Sequence, residues 1–144
     1  MLVQSMLKGK ESDGVVTVAP GSSVADAAAL LSEKRIGAVI VSSDGKRVAG
    51  ILSERDIVRE LGKRGPACMS DTVDQLMTAD IVGCRRDDSA EAVMQKMSEG
   101  RFRHMPVMDG DEMVGLISIG DVVKARLSEL AMEKDALQGM IMGS

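Results

Sequence analysis

The sequence predicts a mixed α/β protein, α+β in its segregated form, built from two β-α-β-β-α units. The first observation behind this is a phrase that occurs twice. Gly50-Ile51-Leu52-Ser53-Glu54-Arg55-Asp56 and Gly115-Leu116-Ile117-Ser118-Ile119-Gly120-Asp121 share the pattern Gly, two aliphatics, Ser, two variable residues, Asp. The second is that the repeat extends far beyond the phrase. Ser23, Ser32, Glu33, Arg35 and Val41 match Ser89, Ser98, Glu99, Arg101 and Val107 in one register, and Asp44-Gly45 then matches Asp109-Gly110 with the register shifted by one residue. A one-residue change at a turn is what a duplicated unit tolerates.

Each element follows from local composition. In the first unit Val15 to Val18 is a short β-branched run closed by Pro20-Gly21, and Ser23 caps a helix from Val24 to Lys34 whose apolar stripe is Ala27, Leu30 and Leu31. Gly37 to Val41 reads as a buried strand, Ser43-Asp44-Gly45 as a hairpin turn, and Val48 to Leu52 as the returning strand. Ser53 then stands where a strand ends and a helix over about Arg55 to Leu61 begins. The second unit repeats this with Ile81 to Cys84, a helix capped by Ser89 and running to Met97, Met105 to Met108, the Asp109-Gly110 turn, Met113 to Ile117, and a helix from about Gly120. Helical spacing of Val122, Val123, Leu127, Leu130 and Ala131 lets that last helix outrun its counterpart. Val3-Gln4-Ser5-Met6-Leu7 echoes Val73-Asp74-Gln75-Leu76-Met77, so a short lead-in helix precedes each unit. The stretch from Gly62 to Asp71 reads as an exposed connector. The expected division is residues 1–66, 67–128 and a helical tail over 129–144.

Composition excludes several classes of function. With 44% hydrophobic and 28% charged residues the chain reads as globular, and no apolar run reaches the roughly 20 residues that span a bilayer. A cytoplasmic protein is expected. Cys68 and Cys84 have no metal-ligand spacing and His104 is the only histidine, so no zinc or iron site is expected. A net charge of −4 argues against nucleic acid, and Phe102 as the only aromatic leaves no base-stacking platform. No nucleophile, metal cluster or phosphate-transfer loop is present, so no enzyme activity is expected.

The repeated phrase carries the chemistry. Ser and Asp three residues apart at a strand-to-helix turn form a capping pair, worth about 1 kcal/mol without any ligand. The same geometry places a carboxylate able to accept from both hydroxyls of a ribose beside a helix N-terminus that favours phosphate. Repetition of the phrase after the same strand in both units puts binding ahead of capping alone.

With these residues laid out, the chain resembles a tandem pair of CBS domains, supported also by His104-Met105-Pro106-Val107-Met108-Asp109 at the start of a strand. The resemblance covers about Val3 to Leu127. It implies a stand-alone regulatory Bateman module, two units packed with pseudo-twofold symmetry, and adenosine-nucleotide binding in two crossed clefts. Asp56 and Asp121 would hold ribose hydroxyls, and Ser53 and Ser118 would contact ribose or phosphate. Asp56 would face Ile81, Val82, Arg103, His104 and Met105, with Arg55 nearby, which makes a phosphate-competent site for AMP. Asp121, with Leu116 from its own motif, would face Thr17, Gly37, Ala38 and Val39, a roomier and uncharged cleft for an adenylate or the adenosine part of NAD. ATP and ADP are alternative ligands, and a structural dimer without nucleotide is the alternative function. A homodimer is expected, with the Met132, Met140 and Met142 tail either at its interface or as a loose end.

Overall fold

The computed structural model describes residues 1–8 and 15–142. In chain order the elements are α1 (Val3–Lys8), β1 (Thr17–Val18), α2 (Val24–Lys34), β2 (Ala38–Val41), β3 (Gly50–Ser53), α3 (Glu54–Arg64), a 3-10 helix (Gly65–Ser70), α4 (Val73–Leu76), α5 (Ala90–Gly100), β4 (His104–Asp109), β5 (Glu112–Ser118) and α6 (Ile119–Met142). The helix starts fall where the capping serines predict. Ser23 accepts from the Asp26 amide at 3.0 Å and Ser89 from the Ala92 amide at 3.1 Å, opening α2 and α5 at equivalent positions.

Contacts divide the chain into two compact units that differ from the two repeats. One contains Ser12–Val82 and Asp109–Val114; the other contains Met1–Glu11, Gly83–Met108 and Gly115–Ser144. The lead-in helices are exchanged. The amides of Val3 and Gln4 donate to the carbonyls of Asp88 and Arg86, so α1 docks beside the cap of α5. Conversely, the Val24 amide donates to Asp71 and the Val73 amide to Ser22, so α4 docks beside the cap of α2.

In the unit holding the first repeat, β1 runs parallel to β2 and β2 antiparallel to β3, with Ala38 opposite Ser53 and Ile40 opposite Ile51. Val24, Ala27, Leu31, Val39, Val41, Leu52, Ile57 and Val73 make its core. The Asp44-Gly45 turn forms as expected, with Asp44 accepting from the amides of Lys46 and Arg47 at 2.8 Å and Gly45 at φ 78°. β4 and β5 form a two-stranded sheet, and the core of the other unit includes Val3, Cys84, Val93, Met97, Met105, Val107, Ile117 and Val122.

Two expectations need correction. Among the described residues Ile81 to Cys84 form no strand; only Cys84 makes a bridge, parallel to Val107. In the first repeat two bonds hold the equivalent ladder, from Ile40 to Val16 and from Ser42 to Val18. In the second, the Met108 amide donates to Cys84 at 2.7 Å, but Pro106 occupies the place of Ile40 and has no N–H to give Val82. The connector is not an exposed loop either. Residues 65–70 form a 3-10 helix that buries Cys68 fully.

The glycine that opens each repeated phrase has a packing reason. A methyl at Gly50 would overlap the Met77 thioether and come within 3.0 Å of the Thr78 carbonyl oxygen, while one at Gly115 would meet only the Leu7 side chain. Met77 and Leu7 are equivalent residues of the two lead-ins. Gly50→Ala should therefore cost about 2 kcal/mol of stability and Gly115→Ala about 1, since a leucine tip yields more easily than a carbonyl. Urea denaturation of both variants checks the order.

Candidate functional site

Both repeated phrases fold into the same turn. In the first-repeat unit Asp56 accepts at Oδ2 from the Ser53 amide at 2.9 Å and from the Ser53 hydroxyl at 3.0 Å, and the Asp56 amide donates to the Ser53 hydroxyl at 3.3 Å. This reciprocal capping box fixes the carboxylate at the N-terminus of α3, where Asp56 is only 7% exposed. Its other oxygen takes Arg59 at 3.4 Å. In the second-repeat unit Asp121 accepts at Oδ2 from the Ser118 amide at 2.8 Å, and its own amide donates to the Ser118 hydroxyl at 3.3 Å.

A fourth group completes each turn. The first amide of α3, Glu54, donates to the Gly37 carbonyl at 2.9 Å, and the first amide of α6, Ile119, donates to the Arg103 carbonyl at 2.8 Å. Each strand start thus stands beside the helix start of its own unit. The Arg103 carbonyl lies beside the Ser118–Asp121 turn and the Gly37 carbonyl beside the Ser53–Asp56 turn, which also has Arg55 and Arg59 on its own helix.

This arrangement offers one carboxylate, one hydroxyl and one helix N-terminus at each turn, a donor and acceptor set suited to a sugar hydroxyl and an anion rather than to bond cleavage. Among the described residues no group of three or more His, Cys, Asp or Glu side chains could hold a metal ion, and no helix is long and apolar enough to cross a membrane.

Sequence profiles decide the family. The CBS domain profile matches residues 11–63 and again 73–128. The chain belongs to the CBS-domain family. Its fold is that of the CBS-domain containing protein ATU1752 from Agrobacterium tumefaciens, with a TM-score of 0.82, 41% identity, and 88% of this chain and 99% of that one covered. Two more distant CBS structures show the same fold. The CBS domain protein PAE2072 from Pyrobaculum aerophilum, solved with AMP, is 23% identical with a TM-score of 0.77, covering 92% of this chain and 99% of that one. The CBS domain pair of protein MJ0100, solved with 5'-methylthioadenosine and S-adenosyl-L-methionine, is 22% identical with a TM-score of 0.77, covering 90% and 98%. CBS-domain pairs are regulatory modules, and this chain is such a pair.

The remaining candidate residues of the CBS pair divide by burial. Val39 and Met105, expected to line a ligand, are fully buried in the two hydrophobic cores, because they occupy the inward-facing positions of β2 and β4. Ala38 is buried at 3% exposure, and Thr17, Gly37, Ile81 and Leu116 are half-buried. Val82 is 46% exposed, consistent with the strand that Pro106 prevents. Arg55 and Arg103 are exposed and His104 is half-buried. Two features escaped sequence reasoning. Arg59 pairs with Asp56, a contact that their i,i+3 spacing on one helix could have signalled. An open groove of about 490 Å3 lies between α2 and α3, lined by Ala28, Leu31, Ile36, Ile57 and Val58 with Arg35 and Glu54; only the packing of two helices creates it.

Neither cysteine belongs to this chemistry. Burial pushes the Cys84 thiol up to about 12, so it stays protonated and unreactive far above neutral pH. Thiol-reactive dye at pH 8 should label Cys84 and Cys68 only as fast as the protein unfolds, a rate that labelling with and without urea measures.

Proposed function

We propose that this CBS pair is a regulatory module that binds an adenosine nucleotide, AMP first among candidates and ATP, ADP or NAD as competitors. It senses adenylate state and passes it on through a ligand-dependent change in geometry. The observation that carries this reading is the duplicated turn, in which the backbone amide of a serine holds a carboxylate in one orientation in both repeats. A cap needs only one oxygen of that carboxylate, and the second is the one with which a ribose diol would engage. In the Asp56 turn the ligand displaces Arg59, a weak partner at 3.4 Å on an exposed side chain. AMP in PAE2072 supports the ligand class.

The two turns differ in how they treat phosphate. The hydrogen bond from Ile119 to the Arg103 carbonyl supports assigning Arg103 and His104 to the Asp121 site. Arg103 offers a fork of donors and His104 one more, beside the positive end of α6. Of the remaining candidates, Arg55 serves the Asp56 site, and Thr17, Gly37, Ala38, Ile81, Val82 and Leu116 supply apolar or backbone surface for the base. A nucleotide can regulate only if it binds one geometry better than another, and a bidentate grip on ribose is sensitive to geometry.

Calorimetric titration tests the reading. AMP should release or absorb heat with a saturable isotherm, and millimolar AMP should raise the melting temperature. Asp56→Asn and Asp121→Asn keep an acceptor for the serine amide, so each should retain most of the helix cap while weakening its own site at least ~tenfold, about 1.4 kcal/mol. An unchanged isotherm in both variants would favour the interaction dimer without nucleotide.

A second measurement separates the sites. Arg103→Ala with His104→Ala should weaken AMP binding at the Asp121 site by about 1.5–3 kcal/mol, the range of a charge-assisted hydrogen bond, and leave adenosine binding there nearly unchanged. Titrating the double variant with AMP and adenosine in turn, in the Asp56→Asn background, reads that difference.

A further inference from the structure

The Asp56 carboxylate carries a guanidinium of its own helix. Its Oδ2 is fixed by the amide and hydroxyl of Ser53 at 2.9 and 3.0 Å, and its Oδ1 accepts from Nη2 of Arg59 at 3.4 Å. The Asp56 side chain is 9% exposed, whereas that of Arg59 is 59% exposed. A nearly buried anion is thus held by its cap on one oxygen and met on the other by a cation that stands in water. Such a pair is weak, worth no more than about fivefold in an equilibrium constant, so the guanidinium can be exchanged. Arg55 lies one turn earlier on α3, which puts two guanidiniums on one side of the first turns of the helix, near its positive end. The second repeat has Gly120 and Lys124 at these two places.

We propose that Arg59 is the residue by which the Asp56 site tells a nucleotide from a nucleoside, an inference that rests on the nucleotide reading above. A ribose that takes Oδ1 with its diol must first remove the guanidinium. A nucleoside offers that cation no new partner, so the broken pair counts against its binding. A nucleotide brings a phosphate on the same ribose, within the sweep of a side chain as long as arginine, and the guanidinium exchanges one oxyanion for another. The exchange also keeps the charge balanced, because the phosphate arrives beside a carboxylate whose counter-ion stays in the site. Arginine suits this better than lysine, since its fork engages two phosphate oxygens at once. Because Arg59 is mostly in water, its movement disturbs no core packing. The same residue therefore competes with adenosine and assists AMP.

Calorimetric titration of the full chain with AMP and with adenosine, in the Asp121→Asn background, reads the two effects separately. Arg59→Ala should tighten adenosine binding ~two- to fivefold, the worth of the lost competitor, and weaken AMP binding ~tenfold. Arg59→Lys, which supplies the residue type of the second repeat, should weaken AMP about threefold and leave adenosine nearly unchanged. It keeps the test decisive should Arg59→Ala fail to fold. A disturbed turn would weaken both ligands together, so opposite signs identify discrimination rather than a structural role. Losses of equal size for both ligands, or no change in either, in a protein that still binds AMP overturn the role of Arg59 and leave the nucleotide reading standing. A wild-type chain that gives no isotherm with AMP overturns both.

Discussion

The close approach of a lead-in residue to a glycine underlies everything else in each unit. Met77 lies on Gly50 and Leu7 on Gly115, and in both cases the glycine stands three residues before the serine of the Ser-x-x-Asp turn, at the start of β3 and in the middle of β5. Because there is no Cβ, the lead-in can press against strand backbone, and next to Gly50 the strand gains two hydrogen bonds between Ile51 and Thr78 at 2.9 and 3.0 Å. Strand position sets the start of the following helix, and the helix start aims the carboxylate. The glycine of the motif is thus a structural requirement of the turn, although no ligand would touch it.

The same turn can serve stability and the proposed recognition without conflict, because the two tasks would use different atoms. Capping consumes one carboxylate oxygen, the serine hydroxyl and amide and the third helix amide; the proposed recognition would draw on the second oxygen and on side chains placed beside the turn. Duplication then allowed the neighbours to diverge while the turn stayed intact. Gly37 and Arg103 make the same carbonyl bond to the following helix, so the backbone role is indifferent to the side chain. That indifference is what permits one copy to carry a guanidinium and the other nothing.

Local signals were legible in the sequence and exchanged ones were not. Ser23, Ser89, Ser53 and Ser118 mark four helix starts because capping is a contact between residues three apart. The Asp44-Gly45 and Asp109-Gly110 turns are local in the same sense. The strand at Ile81 to Cys84 failed because its partner is distant: Pro106, more than twenty residues on, withholds the amide that Val82 would need. Val39 and Met105 lie beside the strand starts that the resemblance assigns to a ligand, and that both side chains are fully buried depends on what packs over β2 and β4, which residue type alone does not show. The bond that ties the start of α6 to Arg103 is accepted by a backbone carbonyl, and a carbonyl leaves no trace in residue type.

The exchanged lead-ins carry a historical implication. Val3 and Val73 hold equivalent places in the repeats, yet each belongs to the compact unit built on the other repeat. Trading an identical segment between equal partners is the signature of a domain-swapped homodimer. A single-repeat ancestor that swapped its lead-in with a twin, and whose gene was later joined head to tail, would leave this topology behind. The stretch from Gly62 to Ser70 would then mark the seam of that fusion, closed now by a compact 3-10 turn around the buried Cys68.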